Sequence, residues 1–105
     1  MLEEALTYRE RLELARIRQR LTRAAYSASL GVSVAQYEDW MAGNSTGPAI
    51  YLGGLWPWEH YTALRVRYGI ARIELSRRIG CCPRYIRMME YGERPIKRLR
   101  EYWRH

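Results

Sequence analysis

This 105-residue chain has no phenylalanine, one lysine (Lys97), two histidines and two cysteines. Each scarcity closes a class of function. A closed zinc site needs four Cys, His or carboxylate ligands at readable spacing, and two adjacent cysteines with His60 and His105 do not offer that set. Adjacent cysteines also make a strained disulfide. Cys81 and Cys82 therefore read as small apolar fillers, not as redox or metal ligands, and no cofactor is expected. No apolar run approaches the ~20 residues of a membrane-spanning helix. The opening "MLEEALTYRERLEL" is acidic and amphipathic and lacks the layout of a signal peptide. These absences point to a soluble cytoplasmic protein. Enzymatic chemistry is not expected either, because no Gly-rich phosphate loop, metal constellation or Cys–His pair is present.

What is present is arginine, tyrosine and tryptophan. The chain is 48% hydrophobic and 28% charged, enough apolar content for a buried core. The net charge of +7 is unevenly placed. Residues 1–52 carry six arginines against six acidic residues, whereas residues 53–105 carry twelve basic residues against five glutamates. The second half thus holds all of the excess and is expected to face a polyanion.

Sliding the chain on itself by 49 residues reveals a repeat. Arg16, Arg18 and Arg23 fall on Arg65, Arg67 and Arg72; Ser27 falls on Ser76; Gly31 and Gly43 fall on Gly80 and Gly92. Between these identities the apolar positions agree, among them Leu21 with Ile70, Leu30 with Ile79 and Tyr37 with Ile86. Two copies suit a tandem pair of small modules, 1–55 and 56–105. Each copy reads as four helices and nothing reads as a strand, so the fold class is all-α. In the first copy the helices are expected over 3–18, from a Thr22 cap to before Gly31, from a Ser33 cap to Gly43, and from Pro48 to Gly53-Gly54. In the second they are expected over 59–67, 72–79, 83–90 and 95–103. The apolar link "YLGGLWPWEHY" is too short for a tether and is expected to form a core joining the modules into one compact unit.

The stretch "LRVRYGIARIELSRRIGCCPRYIRMMEYGERP", residues 64–95, resembles the Cro/cI-type, or xenobiotic-response-element, helix-turn-helix family. The resemblance rests on Arg65, Gly69-Ile70, Glu74-Leu75-Ser76, Ile79-Gly80, Ile86, Glu90, Gly92 and Arg94, in order and without a gap. The first copy is similar to the same family more weakly, with Ala25 and Met41 where the family has glutamates. The resemblance implies two tandem lambda-repressor-like modules. It also implies an ion pair between Arg65 and Glu90, with Arg16 deprived of the matching partner by Met41. Glu74 stands three residues after Ala71, where a carboxylate can cap free backbone donors.

On a helix over 82–90, Ile86 and Met89 point one way, and Arg84, Arg87 and Met88 the other. The resemblance makes this outward set a major-groove reading surface. Arg84 is placed to take guanine O6 and N7, a contact that discriminates by about 1–3 kcal/mol. Tyr85, Arg72, Arg94, Lys97 and Arg98 are the expected phosphate contacts. The equivalent first-copy surface presents Ala35, Glu38 and Asp39, with only Gln36 to offset the carboxylates. That module is therefore expected to pack or dimerise, or to hold a protein partner. The expected function is sequence-specific binding of double-stranded DNA as a homodimer, in the manner of a small phage or mobile-element repressor that occludes a promoter. The alternative is a protein-binding inhibitor or antiactivator on the same scaffold.

Overall fold

A computed structural model describes residues 6–104. Seven α-helices and no strand occur among them. The chain divides into two units, residues 1–54 and 55–105. The first contains α1 (Tyr8–Arg18), α2 (Arg23–Ser29) and α3 (Val34–Ala42); the second contains α4 (Pro57–Arg67), α5 (Arg72–Ile79), α6 (Pro83–Glu90) and α7 (Lys97–Tyr102).

Capping chemistry sets the helix starts in the first unit. The Thr22 and Ser33 hydroxyls each accept from a backbone N–H three residues on, at 3.1 Å. Thr7 does the same for α1, accepting from Glu10 N at 3.2 Å while donating to the Glu10 carboxylate at 2.6 Å. Each such cap satisfies a donor that the helix itself leaves open, worth about 1 kcal/mol. The Thr7 cap starts α1 at Tyr8, later than the helix expected from residue 3; residues 3–5 of that expectation lie outside the described residues. In the second unit α4 begins with Pro57 at its first turn, and Glu59 accepts from Trp56 N at 2.8 Å. Ala71 and Cys82 give α5 and α6 no side-chain cap. Glu74 does not supply one in their place: its carboxylate accepts from Arg78 at 2.7 Å.

The repeat is visible in the backbone hydrogen bonds. Leu21 N bonds Arg16 O as Ile70 N bonds Arg65 O; Val32 N bonds Ser27 O as Cys81 N bonds Ser76 O; Asn44 N bonds Asp39 O as Glu93 N bonds Met88 O. The first three helices of each copy thus close with the same bond, five residues back. Gly31, Gly80, Gly43 and Gly92 all have φ between 74° and 84°. Arg20, the one non-glycine with positive φ among the described residues, stands opposite the left-handed Gly69.

The last expected helix of the first copy does not form. Residues 48–54 form an irregular strap, with a tight turn at Gly53, and α1 side chains hold carbonyls along it. Tyr8 Oη donates to Pro48 O at 2.6 Å, Arg11 to Ile50 O at 3.4 Å, and Arg18 to Leu52 O at 2.6 Å and also to Gly54 O. "GPAIYLGG" disfavours a helix through its glycines and proline, whereas "IKRLREYW" in the second copy is built of good helix formers. Leu52 and Leu99 are nonetheless both buried, so strap and helix place one leucine each.

Each unit has its own core. The first gathers Leu12, Tyr26, Tyr37, Trp40 and Met41, with Tyr37 edge-on to Tyr26 at 5.9 Å. The second is aliphatic: Ile70, Leu75, Ile86, Met89 and Leu99. In the link, Tyr51 is 86% exposed, while Trp56 stacks on Trp58 with ring centroids 5.4 Å apart. Trp58 lies against Gly92, whose φ is +76°. A β-carbon there would sit 2.6 Å from the Trp58 ring in a conformation that L side chains avoid. Gly92→Ala is therefore expected to destabilise the second unit by about 2 kcal/mol, read from its denaturant midpoint. An unchanged midpoint would show that the Trp58 contact gives way freely.

Candidate nucleic-acid interface

The α5–α6 pair is joined by a three-residue turn, Gly80 to Cys82. Gly80 ends α5 at φ 84°, which turns the chain back toward α6. Cys81 packs on the second core, as expected of a small apolar filler, while Cys82 is exposed and does not fill it. Both thiols are free, and no group of three or more potential metal ligands occurs among the described residues.

α6 is divided sharply between core and solvent. Ile86 and Met89 are 0% exposed. Arg84 and Arg87 are exposed and make no salt bridge among the described residues; Met88 is half-buried. The basis of this division is the helix period: residues three apart share a face, and residues 84 and 87 lie opposite 86 and 89. Tyr85 is half-buried on the core side, with the Arg98 guanidinium 5.7 Å over its ring. Arg98 also reaches Gly80 O at 3.5 Å, so the start of α7 lies beside the α5–α6 turn. Arg94 and Lys97 are exposed and unpaired among the described residues. Arg77, in the last turn of α5, is a further exposed cation of this kind. A projection of residues 82–90 alone does not reach it, although the charge count of the second half includes it.

Arg72 is occupied. Its Nε donates to Glu90 at 2.7 Å, and its Nη2 is buried without a hydrogen-bond partner. Glu90 also takes Arg65, at 2.5 and 3.1 Å, so one buried carboxylate ties α4, α5 and α6 together.

The first unit makes an equivalent cluster by another route. Met41 occupies the place of Glu90, yet Arg16 is paired: it donates to Glu13, three residues earlier on α1, at 2.7 and 3.3 Å. Glu13 also accepts from Arg23 at 2.8 Å and from the Tyr37 hydroxyl at 2.8 Å. Arg16 and Arg65 keep one further bond in common, to Leu21 O and Ile70 O. The carboxylate has thus moved from the third helix to the first. Thr62, which stands where Glu13 does, has a buried hydroxyl with no partner. The aromatic core supplies the reason, since Tyr37 in place of Ile86 brings a hydroxyl inside that needs an acceptor. Burial pushes the Glu13 carboxyl up, but hydrogen bonds and charge from Arg16 and Arg23 outweigh it and hold the group at about 2. Burial, followed by the Glu13 charge, pushes the Tyr37 hydroxyl above its ordinary range.

On α3, Val34, Ala35, Glu38 and Asp39 are exposed. Glu38 is offset by Arg23, 3.1 Å away, and not by Gln36, whose amide donates to Ser45. Arg11, Arg16, Arg18 and Arg23 are therefore all turned to internal bonds, and the first unit shows an acidic outer helix face. No helix among the described residues is long and apolar enough to cross a membrane. Comparison with family models, curated proteins and solved structures finds no match.

Proposed function

We propose that the second unit is a sequence-specific reader of double-stranded DNA, a helix-turn-helix module of the Cro/cI type. The observation that carries this reading is the division of α6, with Ile86 and Met89 fully buried and Arg84 and Arg87 exposed and unpaired. The helix stands in the half of the chain that holds the whole +7 excess. Arg84 near the helix start has the fork geometry for guanine O6 and N7, and Arg87 serves a base edge or a phosphate. Met88 offers apolar contact to a thymine methyl. Arg94, Lys97 and Arg98 act as phosphate contacts, and Tyr85, braced by Arg98, presents its hydroxyl to the backbone. Arg72 contributes as the charge at the start of α5 while it holds Glu90. A cytoplasmic homodimer would set two such helices about 34 Å apart on a palindrome and repress by occluding a promoter.

Selection of bound duplexes from a random pool tests this reading. Recovery of a defined site is expected, and no enrichment even at low salt would overturn it. On the selected site, Arg84→Ala is expected to weaken binding by about 10–100-fold in a gel shift. Glu38→Ala should leave binding unchanged.

A second reading rests on the first unit. Its net charge of zero and the α3 face of Ala35, Glu38 and Asp39 suit a protein partner rather than phosphate. In that case the protein is an inhibitor or antiactivator that docks through α3. Capture of a stoichiometric partner that survives Arg84→Ala but is lost on Glu38→Arg would favour it.

A further inference from the structure

An open cleft of about 410 Å³ is lined by Leu64, Tyr68, Ile70, Arg78, Tyr102 and Trp103, none of them on α6. Its volume falls in the ~300–1,000 Å³ range of small-molecule sites. Two features give it a chemical preference. Tyr68 is 65% exposed and stacks on Trp103 with ring centroids 5.7 Å apart, while Tyr102 stands edge-on to Trp103 at 5.0 Å. Flat, rigid aromatic walls of this kind favour a planar ring. Arg78 supplies a cation; it donates to Tyr102 Oη at 2.8 Å and to Glu74 at 2.7 Å, which leaves other N–H groups of its five for an incoming acceptor. The indole Nε1 of Trp103 is buried and has no acceptor among the described residues. Closed to solvent, this N–H reports on the cleft through its ring and does not itself reach a ligand there.

We propose that this cleft binds a small planar aromatic carboxylate, its ring on the exposed Tyr68, which Trp103 backs from behind, and its carboxylate on the Arg78 guanidinium. Leu64 and Ile70 supply the apolar contacts. The site is independent of the DNA-reading proposal, because none of its residues belongs to α6. Arg78 does lie in α5, so occupancy bears on the helix that precedes the reading helix.

The test is a titration of the full chain with 2-naphthoate, followed by the tryptophan indole N–H resonances in two-dimensional NMR. A saturable shift of the Trp103 signal is expected, with a Kd of about 0.1–1 mM for a ligand of this size. Acetate, which lacks the ring, should produce none. The neutral analogue 2-naphthamide and the Arg78→Gln variant should each bind at least about tenfold more weakly, since a charge-assisted bond is lost. The variant's spectrum away from the cleft should overlay that of the parent, which separates a lost ligand contact from a lost fold. No saturable shift of Trp103, a response confined to other tryptophans, or equal affinity for the carboxamide would each overturn the proposal.

Discussion

Glu90→Ala is expected to destabilise the second unit by about 3–5 kcal/mol, the usual cost of leaving buried charges without their partner. The Glu90 side chain is 1% exposed and bonds two guanidinium groups, of which Arg65 is 9% exposed. Removing the carboxylate leaves Arg65 buried and uncompensated. Domains of this size have total stabilities toward the low end of ~5–15 kcal/mol, so the second unit is expected to be largely unfolded. A thermal melt followed through second-unit amide resonances would show the loss, and a small shift would mean that water reaches Arg65. The first unit suggests how to restore it. Glu90→Met copies Met41 and should be nearly as damaging alone. Adding Thr62→Glu places a carboxylate three residues before Arg65, the spacing by which Glu13 serves Arg16. Most of the lost stability should then return. A double variant no more stable than Glu90→Met would show that the two clusters are not interchangeable solutions.

The second large effect is an acid-labile first unit. The folded Glu13 carboxyl sits at about 2, against an ordinary value of 4.5. A group whose folded pKa is depressed stabilises the fold above its unfolded pKa. That contribution is lost as pH falls from about 4.5 toward 2. The shift corresponds to about 3 kcal/mol. Denaturant unfolding of the first unit should therefore weaken steeply over this window. Glu13→Gln should be less stable at neutral pH and lose most of the dependence. A parent-like acid slope in Glu13→Gln would assign the effect to another group. At the alkaline end, Tyr37 is raised, so its contribution is complete below about pH 10 and fades as pH rises beyond it.

Several features were legible in the residues themselves. The all-α class follows from helical periodicity and the absence of strand patterns. The bounds of α5 and α6 follow from Gly80, Pro83 and the turn between them, and the starts of α2 and α3 follow from Thr22 and Ser33. The two faces of α6 follow from the 3.6-residue period alone. These are local properties, carried by residues within one or two turns of each other, and so they can be read from order in the chain.

The tertiary structure decided what depends on approach through space. The segment from Pro48 to Gly54 became an irregular strap whose carbonyls Tyr8, Arg11 and Arg18 on α1 hold. Arg16 kept a partner because Glu13, three residues earlier on α1, bonds it together with Arg23 and Tyr37. Arg72 turned inward to Glu90, Arg98 settled over Tyr85, and Tyr68, Tyr102 and Trp103 came together from α4 and α7 to wall a cleft. A carboxylate can meet the same arginine from either of two helices, so a residue-by-residue alignment of the copies records Met41 as a loss. Only the packed core, with a tyrosine hydroxyl to satisfy in one unit and an isoleucine in the other, determined which helix supplies the charge.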